Sequence, residues 1–378
     1  MKKYLLGFAV MLSATLFTAC MDNDNTPNKY YIPVSNGVYV VGSGNSASSI
    51  PGNLTYYDNV TKSATKNIFS KVNGFSLGNG TVNDAMRFGD KIYVVSSDEN
   101  SVIVADAKTL RFLHRIELTD PKMLGEKGVT PRRITASDNK IYVSTYGGCV
   151  AAIDTASYIL TKKYDVGSYP EGLMVSNGYL FVANSDYALN NSASISIVDL
   201  STGTTETITN EDIRNPQEIA VAGSYIYYLD WGQYGEAPDY IQEHAGVYRY
   251  NIYDKKIECV IPDATGMTCY GTAIYTFNNA TGVKETTYTV YDIRSGIKSN
   301  FVAEGIESPA AIAIDPLTNH LYIASYRKPS GSQYAESSSD GYVVFYDNSN
   351  SMKRVGSFEC GVGPTRLAFN ISIEEVEY

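Results

Sequence analysis

Residues of the types that most often carry out catalysis are few in this sequence and lie far apart. The three histidines are His114, His244 and His320, and no short catalytic or phosphate-binding motif accompanies them. A metal site or a nucleophile–histidine–carboxylate triad needs its members in contact, and this spacing places the histidines in separate parts of the chain. We therefore predict no enzyme activity, no catalytic residue, and no metal or cofactor.

The loop of residues 230–246 contains carboxylates that could form an acid/base pair. Its carboxylates are Asp230, Glu236 and Asp239. Two carboxylates a few ångströms apart serve as acid and base in many glycoside-cleaving enzymes. An extracellular lyase or hydrolase is therefore the enzymatic alternative, although acidic residues are common in exposed loops.

Aromatic, arginine and amide side chains recur at the ends of predicted strands, on one face of the predicted fold. These residue types suit ligand binding. The alternative for each ring is that it only covers the inner strands. Arg133 is predicted on the same face. The predicted ligand-binding residues are Trp231, Tyr234, Tyr240, Tyr146, Tyr326, Arg327, Arg132, Asn184, Tyr187, Tyr169 and Asn215.

The elements that must position these residues form a sevenfold repeat. A short apolar strand with a central aromatic recurs, and its copies are GVYVVG (37–42), KIYVVS (91–96), KIYVST (140–145), YLFVAN (179–184), YIYYLD (225–230), AIYTFN (273–278) and HLYIAS (320–325). The spacing is near the length of a four-stranded propeller blade. The period-two pattern inside each copy excludes a helical solenoid.

Most copies are preceded by another predicted strand, and all seven are followed by one. The preceding strand often opens with proline, as in PRRITAS (131–137) and PEGLMVS (170–176), although its copy near 267–271 is degenerate. The following strand ends in a turn-forming residue, and this column is Asp58, Asp106, Asp154, Asp199, Asn251, Asp292 and Asp347. The first blade lacks a preceding strand and the strand 364–370 lacks a blade. The sequence therefore predicts an all-β, seven-bladed β-propeller over residues 36–378, closed by pairing of the C-terminal strand with the N-terminal blade.

The N-terminus reads as an export signal. A basic start and an apolar stretch precede Cys20, and the small residues before it resemble a bacterial lipobox. We expect residues 1–19 to be a lipoprotein signal peptide, Cys20 to be lipidated, and residues 20–35 to be a tether. The acidic stretch 21–25 resembles the tag that sends some lipoproteins to the outer face of the outer membrane, where we expect this protein to be exposed.

Net charge and cysteine content bear on possible partners, metal sites and disulfides. The formal net charge of -10 argues against a nucleic-acid partner. Beyond Cys20 the cysteines are Cys149, Cys259, Cys269 and Cys360, without zinc-type spacing. Export permits a disulfide between Cys259 and Cys269, and free thiols are the alternative.

The strings GVTPRRITASDNKIYVSTYGG, VGSYPEGLMVSNGYLFVANS and SISIVDLSTG resemble the repeats of YncE-like, surface-layer-type propeller lipoproteins. Among these, the chain is similar to surface propellers that capture vitamin B12 for a TonB-dependent outer-membrane transporter, and more distantly to those that capture ferric siderophores. The resemblance implies a non-enzymatic lipoprotein that captures a nutrient, best a cobamide, and docks on such a transporter. A siderophore- or glycan-binding propeller is the alternative within the binding class.

Overall fold

The computed structural model describes residues 29–119, 124–185, 192–235, 242–280, 285–332 and 334–377. Within them the chain folds into seven antiparallel sheets of four strands each, and a small two-stranded ribbon. Each sheet is one blade, and the inner strands of the blades surround a central channel. The protein is a seven-bladed β-propeller, as the sequence predicted.

The strands are given blade by blade. Blade 1 contains β1 (Lys29–Gly42), β2 (Asn53–Asp58), β3 (Ser63–Thr65) and, innermost, the C-terminal strand β30 (Pro364–Glu377). From the inner to the outer strand, blade 2 contains β4 (Val82–Phe88), β5 (Lys91–Ser96), β6 (Ser101–Asp106) and β7 (Phe112–Glu117). Blade 3 contains β8 (Pro131–Ser137), β9 (Lys140–Thr145), β10 (Cys149–Asp154) and β11 (Leu160–Asp165). Blade 4 contains β12 (Pro170–Ser176), β13 (Tyr179–Asn184), β14 (Ser194–Asp199) and β15 (Thr205–Ile208).

The remaining blades follow the same order. Blade 5 contains β16 (Pro216–Ala222), β17 (Tyr225–Asp230), β20 (Gly246–Asn251) and β21 (Ile257–Pro262), with β18 (Gln233–Tyr234) and β19 (Gln242–Glu243) forming the small ribbon. Blade 6 contains β22 (Gly266–Tyr270), β23 (Ala273–Asn278), β24 (Thr287–Asp292) and β25 (Lys298–Phe301). Blade 7 contains β26 (Ser308–Ile314), β27 (His320–Tyr326), β28 (Asp340–Asp347) and β29 (Lys353–Val362).

Helical structure is minor in the described residues. It consists of the α-helix α1 (Ile68–Asn73) and two single turns of 3₁₀-helix at Ser46–Ser48 and Gly125–Gly128. None of the helices in these ranges is long and apolar enough to cross a membrane.

The core lies between neighbouring blades, where the second strand of each sheet and most of the third strands are largely buried. The aromatic at the centre of the repeated strand is the main filler, and Tyr39, Tyr93, Tyr227 and Tyr322 are at most 1% exposed. Such rings bury a large apolar area and pack edge-on or stacked against their neighbours. The repeated aromatic is therefore a packing residue of the blades.

The third-strand column of turn residues has the structural role that was predicted. Each of the seven residues ends its strand. Asp106, for example, accepts hydrogen bonds from the backbone nitrogens of Lys108 and Thr109, at 3.1 and 2.7 Å. Side chains of this type close the hairpin to the outer strand by bonding their own backbone.

Two strands differ from their predicted extents. The degenerate inner strand of blade 6 forms at Gly266–Tyr270, one residue from the predicted place. The closing pair β1–β30 is longer than predicted, because Lys29–Ser35, expected to be tether, pair with Ile371–Glu377, which continue the predicted strand 364–370. Pairing satisfies the backbone donors and acceptors of both segments. The two ends of the chain thus form one ribbon.

Two faces of the ring need names. Connections from the second to the third strand, and from the outer strand to the next blade, lie on what we call the upper face. Turns from the first to the second strand and from the third to the fourth lie on the lower face. Because β1 reaches the upper face at Gly42, the ribbon that begins at Lys29 extends beyond the lower face.

Candidate functional site

The inner strands carry a repeated irregularity at their upper ends. In six of the seven, all but β22, the pairing register shifts after the first or second residue of the strand, so that the inner strand has an extra residue there. Such bulges re-aim side chains, and they are frequent beside binding sites. In this protein they lie around the upper end of the channel.

The bulge of β8 brings two neighbouring arginines to one carboxylate. Arg132 donates to Glu171 Oε1 from Nε at 2.9 Å, and Arg133 Nε lies 3.7 Å from Glu171 Oε2. In a regular strand successive side chains point to opposite faces, so both could not reach the same group. The bulge removes that restriction.

Two tyrosines complete this corner of the upper face. The Tyr146 hydroxyl donates to Glu171 Oε1, and the Arg132 guanidinium lies 4.7 Å from the centre of the Tyr146 ring. Tyr169 packs edge-on against Tyr146, with ring centres 5.3 Å apart. The structure therefore brings three predicted site residues together, namely Arg132, Tyr146 and Tyr169.

Glu171 is charged despite its burial. It is 1% exposed, and burial alone would raise its pKa, but the guanidinium groups of Arg132 and Arg133 hold the pKa of this carboxyl below its ordinary value. Burial raises the pKa of Tyr146, so its hydroxyl stays protonated and continues to donate. The corner is a fixed arrangement of charges and donors that need not reorganise when a ligand arrives.

A second set of charges crosses the channel. Arg366 of β30 in blade 1 donates a hydrogen bond to Glu218 of β16 in blade 5. Arg133 of blade 3 reaches towards the same carboxylate, with its NH2 3.9 Å from Glu218 Oε1. The intervening inner strand carries Gly172 at this level, where a Cβ would lie 2.6 Å from the Gln217 carbonyl oxygen. A glycine is thus required where these strands approach.

The predicted residues of blade 5 form a separate group on the upper face. The Trp231 backbone nitrogen donates to the Asn215 carbonyl oxygen at 3.0 Å, and its indole Nε1 donates to the Thr265 carbonyl oxygen at 3.0 Å. Tyr234 lies in the small ribbon and is 50% exposed. Between blades 4 and 5 a depression of about 590 Å³ is lined by residues that include Arg214 and Gln233.

Asp230, which a catalytic alternative would use, is occupied by backbone donors. Its carboxylate accepts hydrogen bonds from the nitrogens of Arg214, Asn215 and Gly232 at 2.9, 2.9 and 2.7 Å. Burial raises the pKa of Asp230 to about 6. It fixes the chain before β16 and after β17, and its proposed acid/base partners Glu236 and Asp239 lie outside the described residues.

Tyr326 and Arg327 lie at the upper end of blade 7, well apart from Arg132. The Arg327 NH2 is 2.6 and 2.7 Å from the two oxygens of Glu359, and its guanidinium lies 5.1 Å from the centre of the Tyr342 ring. Tyr326 is half-buried. Both residues lie on the predicted face, but their contacts are local to blade 7 and do not join the cluster around Glu171.

Asn184 also lies at the upper end of its strand but in the interior. It is 0% exposed, and its side-chain nitrogen donates to the hydroxyls of Ser194 and Ser196 at 3.1 and 2.9 Å. Asn184 therefore stabilises the upper end of blade 4 from the interior and is not accessible to a ligand in this structure. Tyr187, Tyr240 and the predicted lipidation site Cys20 lie outside the described residues.

The histidines and cysteines do not assemble into a site among the residues that the structure describes. His114 stacks on Tyr158 with ring centres 4.7 Å apart, and His320 lies 5.9 Å from Phe345. In the described ranges, no group of three or more histidine, cysteine, aspartate or glutamate side chains is arranged to hold a metal ion. Cys259 and Cys269 are both free, so the structure has the free-thiol alternative and not the disulfide.

Sequence reasoning missed the channel charges Asp84, Glu171, Glu218 and Arg366. A signal was present: each lies one or two residues after the first residue of a predicted inner strand, as in PEGLMVS and PTRLAFN. Buried charges are rare unless they are paired. Charged residues at equivalent places in five of the repeats therefore indicated partners across the ring.

Comparison with solved structures supports the fold alone. A putative 6-phosphogluconolactonase from Bacteroides uniformis matches with a TM-score of 0.57 and 13% identity, over 89% of this chain and 100% of that one. Kuenenia stuttgartiensis hydrazine synthase matches with a TM-score of 0.57 and 14% identity, over 78% of this chain and 94% of the other. No protein-family profile and no curated protein sequence matches the chain.

Proposed function

We propose that this protein is a non-enzymatic lipoprotein of the bacterial outer surface that captures a nutrient on its upper face. The observation that carries the proposal is the fixed cluster of Arg132, Tyr146 and Tyr169 around Glu171, on the same face as the aromatic group of Trp231. Rigid strand ends hold these side chains, and a rigid site loses little entropy on binding.

A cobamide is the ligand with which we begin. Such a molecule combines apolar faces with many amide groups, which suits aromatic rings interspersed with arginine and amide side chains. It is larger than the 590 Å³ depression and would spread over the rim, so we assign it to the surface between blades 3 and 5. Transfer to a TonB-dependent transporter, and anchoring through Cys20, belong to the same proposal.

Titration calorimetry with cyanocobalamin tests it, using the chain that begins after Cys20. We expect tight binding by the wild type and a loss of at least about tenfold in the Trp231→Ala, Tyr169→Ala double variant, equivalent to about 1.4 kcal/mol. The matched control is Tyr253→Ala, since Tyr253 is 63% exposed at a lower-face turn of blade 5.

The same calorimetric assay is applied to the other ligand classes, a ferric siderophore and an oligosaccharide. Binding of a ferric siderophore or of an oligosaccharide without cyanocobalamin binding would replace the cobamide and keep the upper face as the site. Turnover of an oligosaccharide would favour the lyase or hydrolase alternative. Binding that survives every upper-face substitution would place the site elsewhere and overturn the proposal.

A further inference from the structure

The central channel contains a cavity that is separate from the upper rim. Its volume is about 420 Å³, and it extends from the charged inner-strand ends down to Ser176, Ala222 and Gly271 near the lower-face turns. This volume is typical of small-molecule pockets. A cobamide does not fit within it, so a ligand of the channel would be a different and smaller molecule.

One end of this cavity presents a cation that lacks a carboxylate partner at hydrogen-bond distance. Arg133 donates from NH1 to the Asn83 carbonyl oxygen at 2.9 Å, but its nearest carboxylate oxygens, on Glu171 and Glu218, are 3.7 and 3.9 Å away. Among the described residues its Nε has no hydrogen-bond partner. Burial lowers the pKa of Arg133, as expected for a guanidinium whose charge is incompletely balanced.

The same end presents a carboxyl group, that of Asp84, without a cation at ion-pair distance. Asp84 accepts hydrogen bonds from the backbone nitrogens of Ala85 and Ile134 at 2.9 and 3.1 Å. In the described ranges no arginine, lysine or histidine nitrogen lies within 4.0 Å of its carboxylate. Burial raises its pKa, although Arg366 and Arg133 act in the opposite direction. Asp84 therefore has capacity for a cationic donor.

The opposite wall of the cavity is apolar. Met267 of blade 6, Ile312 of blade 7 and Leu367 of blade 1 line it, and the inner strands of blades 6 and 7 contribute no charged residue to the lining. The charged residues of the lining thus come from blades 1, 2, 3 and 5, and the side of blades 6 and 7 is without charge. A ligand that fills it needs an ionic end and an apolar body.

We propose that the channel binds a small zwitterion with an apolar side chain, such as an aliphatic or aromatic α-amino acid. The ligand ammonium group would pair with Asp84, its carboxylate with Arg133, and its side chain would lie along Met267, Ile312 and Leu367. Charge-assisted hydrogen bonds of this kind are stronger than neutral ones. Because a zwitterion supplies both charges at once, each incompletely paired group gains a partner without a change in net charge.

Titration calorimetry with L-leucine tests the proposal on the chain that begins after Cys20. Two comparison ligands each lack one charge: 4-methylpentanoate has no ammonium group, and isoamylamine has no carboxylate. We expect leucine to bind, and each comparison ligand to bind at least about tenfold more weakly. Equal binding of leucine and 4-methylpentanoate would contradict the role of Asp84.

Variants connect the ligand groups to the residues. Asp84→Asn should weaken leucine binding at least about tenfold and leave 4-methylpentanoate binding unchanged. Arg133→Met should also weaken leucine binding at least about tenfold, but leave isoamylamine binding unchanged. Glu258→Gln is the matched control, since Glu258 is on the outer strand of blade 5 and pairs with Arg249. Circular dichroism and the melting temperature of each variant show whether it is folded.

The thiol of Cys269, which lines the cavity, gives an independent readout. In a Cys259→Ser background, leucine should slow the modification of Cys269 by a thiol reagent. If leucine, methionine and phenylalanine at up to about 1 mM neither bind nor protect Cys269, the proposal is wrong. This failure would leave the upper-face proposal untouched, because that proposal is tested with another ligand and with variants of residues that do not line the cavity.

Discussion

Arg366 and Glu218 form a hydrogen-bonded ion pair across the central channel, linking the C-terminal strand in blade 1 to the inner strand of blade 5. The two residues are 148 positions apart in sequence. Each side chain is about four-fifths buried, with 21% and 23% exposed. The pair therefore braces the ring between blades that do not adjoin one another.

Removal of one partner of this brace should destabilise the protein. We expect Arg366→Met to lower the free energy of unfolding by about 2–3 kcal/mol, because the Glu218 carboxylate is then left buried without its hydrogen-bonded cation. Urea unfolding measures the change. The control is Arg327→Met, whose exposed pair with Glu359 should contribute less than about 1 kcal/mol.

The double variant Arg366→Met, Glu218→Met sharpens that test. With both charges gone, no buried charge is left unpaired, and we expect at least half of the lost stability to return. A double variant that is as unstable as the sum of the single variants would show that the pair is not coupled.

Truncation separates the two parts of the C-terminal strand. A chain that ends at Asn370 keeps the inner strand of blade 1 and loses only the ribbon, so we expect it to fold with a lowered melting temperature. A chain that ends at Gly363 leaves β1 without its inner neighbour, and we expect it not to fold, because the ring is then open. Near-UV circular dichroism distinguishes the two, and cooperative melting of the shorter chain would contradict this account of closure.

The pH dependence of stability should reveal Asp230. Its pKa is raised to about 6 in the folded protein, above its ordinary value of 3.8, so the native state binds a proton that the unfolded chain does not. Its charge therefore destabilises the fold above pH 6, and this penalty disappears as the pH falls through that value. Relative to Asp230→Asn, the wild type should gain up to about 3 kcal/mol between about pH 7 and pH 4.

The turn residue Asp106 supplies a control of opposite sign. The side chain and backbone of Thr109 lower its pKa, so its stabilising contribution is present above its ordinary pKa and is lost as the pH falls. Unfolding curves of Asp230→Asn and Asp106→Asn over the same pH series should diverge from the wild type in opposite directions. Parallel curves would refute the assignment for Asp230.

Thiol reactivity should divide the cysteines into two classes. Cys149 and Cys360 are 0% exposed and should not react in the folded protein, whereas Cys259 and Cys269 are exposed. Cys269 lines the channel, and burial raises its pKa to about 11. Its modification at pH 8 should be slow and accelerate about tenfold per pH unit, since the thiolate is the reactive form. Rapid labelling at pH 8 would contradict that environment.

Local patterns were sufficient to predict the blades. The repeated aromatic strands at 91–96, 140–145, 179–184, 225–230 and 273–278 have the bounds that the structure shows. Alternation of buried and exposed residues and the turn-forming aspartates both depend on neighbours in sequence, so they are legible in one chain. The degenerate strand β22 was the hardest to predict, because Gly266 and Thr268 weaken its apolar pattern.

The candidate sites were predictable only in part. The upper-face position of Arg132, Tyr146 and Tyr169 followed from where their strands end. Their meeting at Glu171 did not, because it depends on the bulge of β8, which has no sequence marker that we recognised. The pair of Arg366 with Glu218 depends on the diameter of the closed ring, a property of all seven blades together.

The ribbon of β1 with β30 determines how the molecule carries mechanical load. A pull applied at the N-terminal end runs along β1 towards the upper face, and the rest of the ring resists it. Hydrogen bonds to β2 on one side and β30 on the other then bear the force side by side in shear, instead of opening one at a time. A propeller tethered by this end would resist extraction.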